Sequence, residues 1–171
     1  MPRTGRLFCA LTLSLLPALA LAAPAAEPAQ TAQPAAQADA RIREQLDQLG
    51  YKYQVDEDGD YVLTFGLDGD RSQMAYVLSR TERYGKLQVR EVWSPAYRTS
   101  AKQFPADVAN RLLEDSQLSK MGGWVKQDSV AVFVVKLDAA ASREDLDDAI
   151  DYVVRAADEM EAELSPGQDE F

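Results

Sequence analysis

The fold is decided by residues 124–164, WVKQDSVAVFVVKLDAAASREDLDDAIDYVVRAADEMEAEL. Trp124-Val125 and Val130 to Leu137 flank the polar Lys126-Gln127-Asp128-Ser129, which is the pattern of a β-hairpin. Val130 to Val135 is apolar at every position, so it is predicted to be a central strand covered on both faces. The period then changes. Leu146, Ile150, Val153, Ala157, Met160 and Leu164 recur at spacings of four and three, which is one face of a long helix. Ser142 and Asp145 are spaced as a capping box, and Glu144, Asp145, Asp147 and Asp148 crowd the positive end of the helix dipole. Pro166 and Gly167 stop the helix. Acids at its other end (Asp158, Glu159, Glu161, Glu163) oppose the dipole and are expected to be solvated.

Working back toward the N-terminus, Pro105 suits a helix start. Val108, Ala109, Leu112 and Leu113 supply that helix with an apolar stripe that fades near Ser116. Before it comes a block of strand signals. Tyr51 to Val55 and Tyr61 to Phe65 flank an Asp-rich turn, Gln73 to Ser79 places Met74, Tyr76 and Leu78 on one face, and Leu87 to Trp93 ends at Pro95. Asp39 caps a first short helix with Ile42, Leu46 and Leu49 on one side and Gly50 as its stop. The order is α-β-β-β-α-β-β-α. Strands come in blocks, so the expectation is an α+β fold, with an antiparallel sheet of about five strands and helices packed on one side.

The first residues read as an export signal. Arg3 and Arg6 precede the uncharged apolar run Leu7 to Leu16, and Ala20-Leu21-Ala22 fits an A-x-A cleavage site. The expected organisation is a signal peptide at 1–22, an Ala/Pro/Gln-rich linker at 23–38, one domain at 39–164 and an acidic tail at 165–171. Cleavage near Ala22 implies a periplasmic or secreted protein with no membrane span after processing. A lipid anchor on Cys9 is disfavoured by Phe8.

Composition narrows the function. The 171 residues include no His and one Cys, and 28 acidic residues stand against 18 basic ones. Without imidazole, and with Cys9 inside the signal, the usual general base, metal ligands and disulfides are missing. The net charge of −10 disfavours nucleic acid. Seven basic residues between Arg71 and Phe104 are expected to neutralise acids of the same fold. No nucleophile-base motif or phosphate loop is present. The expectation is therefore a protein that is not an enzyme and needs no cofactor. Asp56, Asp58 and Asp60 around Gly59, with Asp68 and Asp70, invite a cation or a two-carboxylate hydrolase as the alternative. Gly59 stands fourth from Asp56, where a helix-loop-helix calcium site needs glycine sixth, so tight turns account for these residues without metal. For a protein partner, the candidates are the aromatic and basic residues Trp93, Tyr97, Trp124, Arg90 and Arg98, together with Val77 on the sheet.

Phe104 to Leu113, Lys120-Met121-Gly122-Gly123-Trp124, Val130 to Leu137 and the acidic last helix resemble the YbjN-type domain, over roughly Ile42 to Glu163. The resemblance implies the fold of class I type III secretion chaperones and a role in sensory transduction. It carries over no catalytic residues, and it allows a homodimer. Together these features predict an exported, non-catalytic protein-binding module, chaperone-like or regulatory.

Overall fold

A computed structural model describes residues 37–171. The expected signal peptide and most of the linker lie outside the described residues. Helix α1 (Ala40–Leu49) is followed by β1 (Gln54–Val55), β2 (Tyr61–Gly66), a short 3-10 turn (Asp68–Asp70), β3 (Ser72–Tyr84) and β4 (Leu87–Arg98). Helix α2 (Ala106–Leu118), β5 (Gly123–Gln127), β6 (Val130–Asp138) and helix α3 (Arg143–Leu164) complete the order. The six strands form one sheet, β1-β2-β3-β4-β6-β5, with every pair antiparallel. The protein is α+β as expected. The sheet has six strands against the expected five or so, because each of the four strand runs before α2 pairs, the first through Gln54 and Val55 alone.

Local chemistry sets the helix ends. The Asp39 carboxylate accepts the Arg41 N–H at 2.8 Å, and Gly50 takes the left-handed conformation (φ 76°) that closes α1. Both arms of the Ser142/Asp145 capping box are present at the start of α3.

All three helices cover one face. Ala131, Phe133 and Val135 alternate along β6 and therefore share a side. Phe133 and Val135 pack with Ile42 and Leu46 of α1 and with Leu146, Ile150 and Val153 of α3. Ala131 packs with Leu112 of α2 and with Ala157 and Met160 of α3. Each large aliphatic side chain buried this way contributes about 1.5–3 kcal/mol. The opposite face carries no helix. Val132 and Val134 point that way and are buried by flanking strands, not by a second layer, so the expected cover on both sides of β6 is a helical layer on one side only.

Two strands run further than their patterning predicts. Strand β4 continues through Pro95 to Arg98, because its pairing with β6 persists across a register shift between Pro95 and Tyr97, while its ladder with β3 has already ended at Trp93 and Pro95 turns its backbone to that side. Strand β3 continues through the polar Arg80–Tyr84, since pairing with Leu87–Arg90 needs backbone groups and no apolar alternation. The acids at the end of α3 are also not simply solvated. Asp158 and Glu161 pair with Arg71, and Glu163 pairs with Arg111. Glu161 is fully buried.

Candidate functional site

The helix-free face holds a groove of about 510 Å³. Alternation along β3 turns Met74, Tyr76 and Leu78 toward it, and β4 adds Trp93 and Pro95. Val130 and Val132 of β6 complete an apolar floor. One cross-strand row links Val62, Tyr76, Trp93, Val134 and Gly123 over five strands. Gly122 lets β5 come close: a Cβ on it would lie 2.1 Å from the Val134 carbonyl oxygen.

Charge marks the two ends of the groove. Asp56, Asp58 and Asp60 line one part of the rim, and Arg98 with the β5–β6 turn lines another. Between strands, Glu91 accepts the Trp93 indole N–H at 2.8 Å and pairs with Lys136 at 3.0 Å, which fixes the indole and raises the Lys136 ammonium pKa.

The last seven residues do not float free. The Arg71 guanidinium donates to the Gln168 carbonyl at 3.1 Å, the Asp169 carboxylate accepts the Ser72 N–H at 3.1 Å, and the buried Glu161 carboxylate accepts the Glu170 N–H at 2.7 Å. Glu170 pairs with Arg98, whose guanidinium lies 5.3 Å from the centroid of the Phe171 ring. Phe171 is only 6% exposed and forms part of the groove wall.

The six expected partner-binding residues separate. Trp93 and Arg98 lie on the groove. Val77 does not: it is fully buried with Ala75 beneath the helices, because it alternates with Tyr76 and Leu78. Arg90 is also turned away. Its side chain is 5% exposed, pairs with Asp39 and donates to the Leu78 carbonyl, so it neutralises an acid of the same fold. Tyr97 packs edge-on to Phe104 near α2. Trp124 packs edge-on to Phe133 and donates to Asp115 on the helical side. The alternation of β3 sets Met74, Tyr76 and Leu78 on one face without assigning them to a site, and no local pattern marks Pro95, Val132 or Phe171 as part of it. The available signal was that Met74-Tyr76-Leu78 and Val130-Val132-Val134 are apolar on the face opposite the helix-facing residues of the same strands.

The acidic turn is occupied by its own backbone. The Asp56 carboxylate accepts the N–H groups of Asp58 and Asp60, at 3.0 and 2.8 Å, and Gly59 supplies φ 80°. Asp60 accepts the Ser79 N–H at 2.7 Å, while burial raises its carboxyl pKa. Among the described residues no group of three or more acids is arranged to hold a metal ion. Asp68 and Asp70 fall in the exposed 3-10 turn. A smaller hollow between α2 and α3, about 350 Å³, is lined by Glu159 and by two arginines already paired: Arg111 with Asp115 and Glu163, and Arg155 with Asp151. Its Tyr152 hydroxyl lies within 3.2 Å of the Ser119 hydroxyl and accepts the Lys120 N–H, contacts that lower its pKa. Neither place sets a nucleophile beside a base.

Residues 38–166 match a family model, YbjN, described as "putative bacterial sensory transduction regulator". None of the curated proteins matches the chain.

Proposed function

This chain belongs to the YbjN family, and from that premise we propose that it is an exported, non-catalytic regulatory module that holds an extended segment of a partner protein in the groove on its helix-free sheet face. The observation that carries this reading is the groove itself: an apolar floor of Met74, Tyr76, Leu78, Trp93 and Val132 with acids and Arg98 on its rim. Apolar centres with charged margins are the composition of a binding surface. A peptide segment fits better than a small metabolite, because the groove crosses several strands. The positive, apolar and small-residue order of residues 3–22 supports action outside the cytoplasm. Among the described residues no helix is long and apolar enough to cross a membrane.

The test is photocrosslinking in cells of the source type, with benzoylphenylalanine placed at Trp93 or, as a control, at the exposed Asp151 of α3. The expected result is a discrete protein adduct from the groove position that Met74→Glu abolishes. Equal adducts from both positions, or none from the groove, would refute the reading. Fractionation with N-terminal sequencing tests export: a mature start near Ala23 is expected, and cytoplasmic recovery with Met1 intact would overturn that part.

A further inference from the structure

The groove is not empty beside Arg98. Phe171, the last residue of the sequence, is seated there under Arg98, with Glu170 ion-paired to the same guanidinium. We propose that residues 169–171, Asp-Glu-Phe, are an intramolecular ligand for this groove. The partner segment that the groove recognises has the same chemistry, an acidic residue followed directly by an aromatic one. This inference rests on the groove being the binding site, and it adds the ligand class and a built-in competitor.

Three observations carry it. First, one side chain serves both parts of the motif. The Arg98 guanidinium pairs with the Glu170 carboxylate and lies over the Phe171 ring, a geometry selective for an acid next to an aromatic. Second, the rim is asymmetric. Asp56, Asp58 and Asp60, with Asp128 in the β5–β6 turn, would repel an acidic ligand elsewhere, and Arg98 is the one cation among the lining residues, so the acid is directed to it. Third, the side-chain contacts of the tail with the groove can open separately from the Arg71, Ser72 and Glu161 bonds that hold residues 168–170. The Arg98–Glu170 pair is 48% and 42% exposed, and such pairs hold weakly. Residues 166–170 are exposed, so Phe171 is the one tail side chain past Ser165 that is buried. Space remains in the groove beyond it, so an incoming segment can begin to bind before the tail leaves.

The experiment uses the full chain and a fluorescein-labelled, amidated peptide of residues 165–171, SPGQDEF, read by anisotropy. Phe171→Ala empties the socket and is expected to bind the peptide at least about tenfold more tightly than wild type, because a short tether presents its own tail at roughly millimolar effective concentration. Arg98→Glu in the Phe171→Ala chain, or a peptide ending in Ala, should abolish binding. If Phe171→Ala loses its native circular dichroism, Glu170→Lys, which retains the aromatic ring, replaces it with the same expected gain. Amide NMR shifts between wild type and the variant should appear at Arg98, Val130 and Val132. Equal peptide affinity of variant and wild type, equal binding of the Ala-ended peptide, or unchanged amides at those three positions would overturn the proposal. The two readings fail separately. Groove adducts from Trp93 with no gain in peptide binding would refute the tail alone. Absence of adducts from both wild type and Phe171→Ala would refute the groove as a binding site.

Discussion

Asp39 performs two tasks that substitution can separate. One carboxylate oxygen caps α1 through the Arg41 N–H, and the other pairs with the nearly buried Arg90. Asp39→Ala removes both contacts and strands a buried cation, so urea unfolding should show a loss of about 2–4 kcal/mol. Asp39→Asn keeps a good cap and should cost about 1 kcal/mol less than Asp39→Ala. Burial by itself would raise the Asp39 pKa, but the Arg41 N–H and Arg90 hold it below its usual 3.8. The folded state therefore releases this proton more readily than the unfolded chain. The stabilisation is complete above that usual value and is lost as pH falls through the lower folded one. The difference in unfolding free energy between wild type and Asp39→Asn should shrink as pH falls below the usual carboxylate range and through the lower folded value. Gly122 offers a steric test. It sits at φ 101° with the Val134 carbonyl in the place of a side chain, so Gly122→Ala should cost about 3 kcal/mol or more. Gly50→Ala, which points into open space, should cost roughly 1 kcal/mol from backbone strain alone. Asp39 and Gly50 were legible as cap and stop because capping is local chemistry. Gly122 was visible only as part of the Lys120–Trp124 entry to a strand, because its constraint comes from a strand twelve positions away.

Among the elements, α3 was the most legible and is the one whose loss should matter most. Ile150 is fully buried between α1 and the sheet, and Ile150→Ala should cost about 3–4 kcal/mol by chemical denaturation. Ser142→Ala removes the hydroxyl half of the capping box and should cost about 1 kcal/mol. The periodicity of α3 sufficed because its apolar stripe and its cap point to the same boundaries. The strands were less legible at their ends. Pro95 reads as a terminator until the bulge beside it is known, and Arg80–Tyr84 reads as a turn because its pairing uses backbone groups alone. The β1–β2 turn makes a separate prediction. Its Asp56 and Asp60 carboxylates already accept main-chain N–H groups, so millimolar calcium should leave the Tm within about 1 °C of the value in chelator. A rise of several degrees would restore the cation reading.

For the molecule as a whole, the two sheet faces should separate stability from binding. Val77→Ala empties space beneath the helices and should cost about 2 kcal/mol while leaving crosslinks from Trp93 unchanged. Met74→Glu on the other face should abolish those crosslinks with a smaller effect on Tm. The sequence already contained the α+β class, the helices and their shared side. It could not show which of two apolar faces the helices would cover, because along β6 both are built of aliphatic and aromatic side chains. For that reason Val77, expected on the binding surface, lies beneath the helices, and its neighbour Tyr76 faces the groove. Phe171 had no period, cap or partner in its neighbourhood, and only the folded chain brings it to Arg98. The hairpin tip of β3 and β4 has a consequence of its own. Arg83 to Leu87 project past the last rungs shared with β2 and β6, and Tyr84 and Leu87 are 81% and 52% exposed. A two-stranded ribbon is marginal in water, so its amides should be the first in the sheet to trade protons for deuterons, and trypsin should nick at Arg83 or Lys86 well before the body opens.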